Sequence, residues 1–361
     1  MSRRKRRIQQ RSIERRDAQI GMGERKFRDM SIRISSFMGR FGFEARRIAP
    51  NLASGAYLKL QFAMRGHDGD EYCRWFLEQP QIPMPQVVNI ETINRCNSTC
   101  AFCTANVHAE KRPFRKISDD LYRSIIDQLA DWGYGGHLTL YGNNEPLLDT
   151  GIVEKHRYAR EKLPESFIFM STNGLLLTLD RIREVQPYID QLIINNYAEE
   201  YKLHDNIRQI YDYVRTHEEE FRDIEIIIQM RYLQEVLTNR AGSSPNKKAT
   251  EKVYTKTCLL PFTDLWITPN GTVGICCCDN LEVTDFGDAN KTPLREIWEG
   301  EKLQAARRAI AQGRDRYPFC KNCDFIDAGF RTAVARAVMD GDQAGANRIG
   351  GEEKNDKKGR R

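Results

Sequence analysis

Five short runs rich in Ile, Val and Phe, spaced by stretches of helical rhythm, constrain this chain more than any other feature of its sequence. QVVNIETI (86–93), HLTLYG (137–142), SFIFMST (166–172), QLIINNY (191–197) and IEIIIQM (224–230) have the length and β-branched content of strands. Between the first two, SDDLYRSIIDQLADWG opens on Ser118 as an N-cap and then repeats apolar residues at helical spacing. The run before Ser166 does the same. Strands alternating with helices build right-handed βαβ units around a parallel sheet. With five or six such units and no dinucleotide-binding glycine fingerprint, the expected fold is α/β, a partial (β/α)6 TIM-like barrel. Its chemistry then sits at the C-terminal ends of the strands.

The flanks differ from this core. Before it, Phe27, Met30, Ile34, Phe37, Met38 and Phe41 recur three or four residues apart among Arg28, Arg33 and Arg40, which predicts a basic amphipathic helix weakened by Gly39 and Gly42. After it, residues 238–257 are polar with Gly and Pro and read as a linker. DLWITPNGTVGICC predicts a hairpin around Pro269, Asn270 and Gly271, and TPLREIWEGEKLQAARRAIAQG one helix ending at Gly313. The tail GGEEKNDKKGRR is too polar to fold alone. The expected division is a basic arm and helical N-terminal extension (1–85), a core barrel (86–237), a small C-terminal α+β domain (238–335) and a disordered polar tail (336–361).

At 361 residues, 40% hydrophobic and 29% charged, the chain can bury a sizeable core, which excludes disorder as a whole. No stretch approaches the roughly 20 apolar residues of a membrane-spanning helix, and the basic N-terminus leads into no signal-peptide core. A cytoplasmic protein is expected. The net charge of +6 belongs to one place: residues 1–16 hold eight Lys and Arg against one Glu, leaving 48 basic and 49 acidic residues elsewhere. This arm is either a solvated tail or a handle for an anionic partner, RNA or a membrane surface, the latter giving peripheral attachment.

Ten cysteines in such a chain do not imply a disulfide framework. Cys73, in EYCRWF, reads as a buried small hydrophobe. Cys96-x3-Cys100-x2-Cys103 follows the first strand and puts three thiolates on one loop at the barrel mouth. A structural zinc site closes with four ligands, and only His108 stands near enough in sequence to join. An iron–sulfur cube held by three thiolates instead leaves one iron open to a small molecule.

On these residues the sequence resembles the radical SAM (S-adenosylmethionine) superfamily, whose hallmark is CxxxCxxC with an aromatic residue, here Phe102, before the last cysteine. Tyr141-Gly142-Asn143-Asn144-Glu145-Pro146, ending the second strand, is similar to the family's GGEP motif, which meets the methionine amino group. Ser171-Thr172-Asn173-Gly174, ending the third, is similar to the segment beside the ribose. The resemblance covers about residues 86–235. It implies that Glu145 and Asn144 meet the methionine ammonium through a carboxylate and an amide oxygen, and that Ser171, Thr172 and Asn173 serve the ribose. Gln229 and Arg231 are candidates for a further contact, Arg231 because a guanidinium grips a carboxylate at two points; a surface ion pair is its alternative. The change from GGEP to NNEP puts a side chain where the family has its first glycine and leaves the acid in place.

The second cysteine group is similar to the family's C-terminal auxiliary-cluster extensions, called SPASM or twitch. Gly271-x-Val273-x-x-Cys276-x-x-Asp279 and Pro318-Phe319-Cys320-Lys321-Asn322-Cys323 carry that likeness. With no cysteine after Cys323, the implied ligand set is Cys258, Cys276, Cys320 and Cys323 for one cube, with zinc as the alternative metal. Cys277 and Cys278 are spare, either packing residues or hydrogen donors to substrate, and a strand would put Cys278 on the same face as Cys276.

The resemblance implies two 4Fe–4S clusters, one binding S-adenosylmethionine and one auxiliary. It further implies cleavage to a 5′-deoxyadenosyl radical, hydrogen abstraction from substrate, and an electron donor such as flavodoxin or ferredoxin. A single auxiliary cluster favours dehydrogenation or epimerisation of a small polyol, sugar or aminocyclitol. Maturation of a ribosomally made peptide or protein is one alternative, and a zinc-binding RNA or adaptor protein is another of a different class.

Overall fold

The computed structural model describes residues 68–105, 111–200, 202–248, 253–325, 338–339 and 341–343, with the backbone of 32–36. The arm at 1–16, the apolar positions Phe27, Met30, Phe37, Met38 and Phe41, His108 and most of the tail lie outside the described residues.

Eight strands form one sheet: β1 (Ile32–Ser36), β2 (Val87–Ile90), β3 (His137–Thr139), β4 (Phe167–Thr172), β5 (Gln191–Ala198), β6 (Glu225–Tyr232), β7 (Asp264–Ile267) and β8 (Val273–Gly274). Their order is β1-β6-β5-β4-β3-β2-β7-β8. Every pairing from β1 to β7 is parallel, and β8 returns antiparallel on β7. The five strands expected from the sequence are β2 to β6. Their C-terminal ends all point the same way, so the loops that follow them gather at one edge of the sheet.

The helices are α1 (Asp68–Glu78), α2 (Asp119–Asp131), α3 (Ile152–Lys162), α4 (Leu179–Val185), α5 (Asp205–Thr216), α6 (Leu260–Thr263), α7 (Leu294–Glu299) and α8 (Glu301–Gln312). The Ser118 hydroxyl caps α2 by accepting from Leu121 N at 3.2 Å. On α5 the buried side chains are Ile207, Ile210, Tyr211 and Val214, the i, i+3, i+4, i+7 stripe of a helix laid on a sheet. They meet a core in which Ile90, Leu138, Ile168, Leu192, Ile194, Ile226 and Ile228 are fully buried.

Three expectations are corrected. Ile32–Ser36, placed in a helical extension, is instead a strand paired in parallel with β6, Ile34 opposite Ile228. Backbone pairing along the sheet edge overrides a weak local helical pattern. The expected single helix up to Gly313 is two, because Gly300 adopts extended backbone (ψ 145°) between α7 and α8. Residues 238–257 are more than a linker: Asn239 is fully buried, its N–H held by Asp324 Oδ1 at 2.6 Å and its amide donating to Asn322 O at 2.7 Å.

The hairpin forms as expected, with Gly271 at φ +91°, a left-handed value that side chains rarely adopt. Its first strand pairs in parallel with β2, so the C-terminal segment extends the barrel's own sheet. At the far side, α1 docks on this segment. Phe76 meets Phe262 edge-on at 5.4 Å, and the buried Arg307 guanidinium lies 3.9 Å from the Trp298 ring and 4.9 Å from that of Phe76. Cys73 is fully buried, as expected, and its thiol reaches Cys258 O at 4.0 Å. Among the described residues no helix is long and apolar enough to cross a membrane.

Candidate functional site

The loop leaving β2 carries Cys96, Cys100 and Cys103, turned back by Cys103 N donating to Cys100 O at 3.0 Å. Cys96 Sγ accepts from Ser98 N at 3.4 Å and Asn173 Nδ2 at 3.6 Å, and Ser98 Oγ lies 3.1 Å from Cys100 Sγ. Burial pushes the Cys96 thiol up to about 12 and that of Cys100 to about 11. Free thiols here stay protonated at neutral pH, so a bound metal is what makes them thiolates. Phe102 is buried with its ring 5.6 Å from Tyr197, and the Arg231 guanidinium lies 5.5 Å from the other ring.

Glu145 ties the three barrel motifs together. Its carboxylate accepts from Thr172 Oγ1 at 2.6 Å, Asn173 N at 2.8 Å and Leu147 N at 3.1 Å. Burial, opposed by these donors, raises its proton affinity above the usual carboxylate range. Asn173 reaches the other way, donating to Cys96 Sγ and, at 2.8 Å, to Asn97 Oδ1. Ser171 is buried and accepts from Asn195 Nδ2 at 2.8 Å. Asn144 differs from the expectation: its amide oxygen is taken by Gly142 N at 2.6 Å, and its buried Nδ2 has no partner. It offers a donor, which suits an oxygen acceptor better than an ammonium. Arg231 grips Glu235 with contacts of 2.6 to 3.2 Å, so its guanidinium is committed inside the protein.

The second cysteine group also converges. Cys258, Cys276, Cys320 and Cys323 lie within electrostatic reach of one another. Arg314 brackets them, donating to Cys323 O at 2.9 Å and Phe325 O at 2.7 Å from one nitrogen, and to Lys256 O at 2.9 Å from another. Asp279 shapes the loop after Cys276 by accepting from Val283 N at 2.8 Å and Thr284 N at 2.7 Å. Cys276 to Cys278 lie in a turn rather than on a strand, and Asp279 N closes it on Cys276 O at 3.0 Å. That turn places the buried Cys278 thiol beside those of Cys276, Cys277 and Cys323, which push its proton affinity up. The neighbouring Cys278 thiol holds Cys323 below the usual thiol range. Cys278 is therefore buried against the four-cysteine set without being counted in it, and Cys277 stands beside it, half-buried.

Sequence reasoning missed the residues that join the two groups. Asn143 donates to Cys277 O and accepts from Arg240, and its backbone N–H is held by Glu91. Glu91 and Arg112 form a buried ion pair of 2.6 Å, and burial pushes Glu91 up to about 7. Arg240 faces Cys103, Cys278, Cys277 and Tyr197, and among the described residues no carboxylate is within ion-pair distance of it. The NNEP departure had flagged a side chain at Asn143. Nothing in the polar stretch around Arg240 singled that residue out.

Both groups fit iron–sulfur cubes in donor chemistry: three thiols in one and four in the other, with polar donors facing the Cys96 and Cys100 sulfurs. The model for the radical SAM superfamily matches residues 90–229, spanning the three barrel motifs, and the model for an iron–sulfur cluster-binding domain, SPASM, matches 258–324. Residues 90–229 are a radical SAM domain and residues 258–324 a SPASM domain. The chain is a radical SAM iron–sulfur enzyme, and its cofactors are S-adenosylmethionine and 4Fe–4S clusters. A curated relative, the S-adenosyl-L-methionine-dependent 2-deoxy-scyllo-inosamine dehydrogenase of Niallia circulans, is 24% identical over 242 residues, covering 66% of this chain and 93% of its own. The crystal structure of BtrN in complex with AdoMet and 2-DOIA shares the radical SAM fold at a TM-score of 0.59 and 23% identity, over 68% of this chain and 94% of that one. An open conformation of BtrN aligns at 0.51 and 19% identity, over 68% and 95%.

Proposed function

We propose that this enzyme dehydrogenates a carbinol carbon of a small polyol, sugar or aminocyclitol. Cys96, Cys100 and Cys103 would hold the cluster that binds S-adenosylmethionine, and Cys258, Cys276, Cys320 and Cys323 the auxiliary cluster. The observation carrying this reading is the meeting of the three barrel motifs on Glu145 and Asn173 next to Cys96, with a single four-cysteine set beyond them. The relationship to a dehydrogenase of an aminocyclitol supports the substrate class.

When bound, S-adenosylmethionine on its cluster supplies hydrogen abstraction from an unactivated C–H bond, and the auxiliary cluster a sink for the electron left behind. The chain's own residues bind and orient. Glu145 offers its charge to the methionine ammonium, Thr172 and Asn173 fix that carboxylate, and Phe102 with Tyr197 closes the loop against water. Arg240 presents donors between the two cysteine groups, where a substrate oxygen sits within reach of both. The carbinol loses a hydrogen atom, an electron and a proton to become a ketone. Reduction of the first cluster calls for a low-potential donor such as flavodoxin or ferredoxin.

The test is anaerobic purification with iron, zinc and sulfide analysis, followed by incubation of reduced enzyme with S-adenosylmethionine and cyclitols or sugars deuterated at carbinol carbons. The expected result is about eight irons per chain for two cubes, deuterium in 5′-deoxyadenosine, and a ketone product. Zinc in place of iron, or no deuterium transfer across the panel, overturns the reading.

A further inference from the structure

Asn143 opens the Asn-Asn-Glu-Pro string of the loop after β3, and its side chain is buried with both of its ends in use. Nδ2 donates to Cys277 O at 3.0 Å, across 134 residues of chain. Oδ1 accepts from Arg240 Nη1, across 97 residues. A carbonyl only accepts and a guanidinium only donates, so the orientation of this amide is unambiguous. Below it, Glu91 Oε1 takes the Asn143 backbone N–H at 3.1 Å and Arg112 takes the other Glu91 oxygen.

The Arg240 end is anchored as firmly. Arg240 and Ala241 have φ of +46° and +54°, a region that residues other than glycine rarely occupy and that persists where surroundings over-determine it. Gly242 N donates to Asn239 O at 2.8 Å, Ser243 Oγ to Arg240 O at 2.8 Å, and Asn239 is locked to Asn322 and Asp324, the segment carrying Cys323. Arg240 is thus fixed to the Cys320–Cys323 segment on one side and to the 142–145 loop on the other.

We propose that Asn143 is a positioning residue that ties the S-adenosylmethionine loop to the auxiliary cysteine segment and aims Arg240 between the two cluster sites. The proposal rests on the two ligand sets assigned above. Displacement of the 142–145 loop by S-adenosylmethionine is passed by one rigid side chain to the Cys277 carbonyl, next to Cys276, and to the Arg240 charge. No glycine can do this, and aspartate lacks the donor for Cys277 O.

The experiment is an anaerobic redox titration of the full-length, cluster-loaded enzyme followed by electron paramagnetic resonance, with and without S-adenosylmethionine. In the unsubstituted chain, S-adenosylmethionine is expected to shift both the line shape and the midpoint potential of the auxiliary cluster. Asn143→Ala keeps its iron and sulfide and the response of the first cluster, and loses the auxiliary response. Arg240→Gln, which keeps a donor and removes the charge, lowers the auxiliary potential and retains the response. An unsubstituted chain without an auxiliary response, or an Asn143→Ala enzyme with a full one, overturns the proposal. Asn143→Asp provides a second arm should the alanine variant not assemble: it is expected to lose the response, and retention there also overturns the proposal. Failure of the ligand assignments is seen separately, as missing iron in the unsubstituted chain.

Discussion

Replacing Glu145 by Gln removes one charge while nearly preserving shape, and the structure allows its effect to be worked through. Oε1 accepts from Thr172 Oγ1 and Leu147 N, and Oε2 from Asn173 N. An amide puts its NH2 group at one of these positions. At Oε2 it opposes the Asn173 N–H, and at Oε1 it opposes the Leu147 N–H, so one backbone donor is orphaned either way at about 1–3 kcal/mol. Relief of the buried charge offsets part of this, and the fold should survive. Binding suffers more, because an ammonium whose buried carboxylate is lost forfeits about 3 kcal/mol, near the low end for a broken charge pair. That corresponds to about 100-fold in affinity. Anaerobic equilibrium dialysis with labelled S-adenosylmethionine measures it, alongside a melting curve. Since burial raises the proton affinity of Glu145, the native enzyme's affinity should also fall on acidification at a pH above the ordinary carboxylate range. An E145Q enzyme that melts normally and binds S-adenosylmethionine within threefold of its parent would refute the role given to this carboxylate.

Gly142→Ala should destabilise by about 2–3 kcal/mol through overpacking. A Cβ there collides with Trp266 Cη2 and comes within 3.0 Å of Cζ2 and Cζ3 of a ring held on β7; Trp266→Phe in the same chain should recover part of the loss in a melting assay. Glu91→Gln should flatten the pH dependence of stability. Burial raises the proton affinity of Glu91 to about 7 in the folded protein against about 4.5 in the unfolded chain, so the pair with Arg112 is fully ionised only above that window and stability attributable to this group falls as pH rises through it, by about 3 kcal/mol at most. Urea midpoints from pH 5 to 7.5 that change equally in both proteins speak against this.

What the sequence made legible was local. β2 to β6 are runs of β-branched residues long enough to declare themselves, and Ser118 announces its helix because a cap acts within one turn. The cysteine, NNEP and STNG strings are contiguous and end strands, so their convergence follows from a parallel sheet. β1 was hidden because Ile32 and Ile34 alternate inside a segment whose other apolar residues are spaced like a helix, and its pairing partner lies near residue 228. The Gly300 break turned on backbone crowding: a Cβ there would lie 2.7 Å from Glu296 O. The link among Asn143, Arg240 and Cys277 was out of reach for the same reason, since contacts spanning 97 and 134 residues leave no periodic trace.

The ladder between β2 and β7 has a consequence for how such enzymes can be rearranged. Because Val87 to Ile90 share register with Asp264 to Ile267, the C-terminal segment is no detachable cartridge. Cutting the chain before residue 258 would strip β2 of a neighbour and leave a bare row of amides ready to aggregate. Shuffling auxiliary modules between relatives therefore has to respect strand register, and the spacing between the two metal centres is set by peptide geometry instead of by a flexible tether.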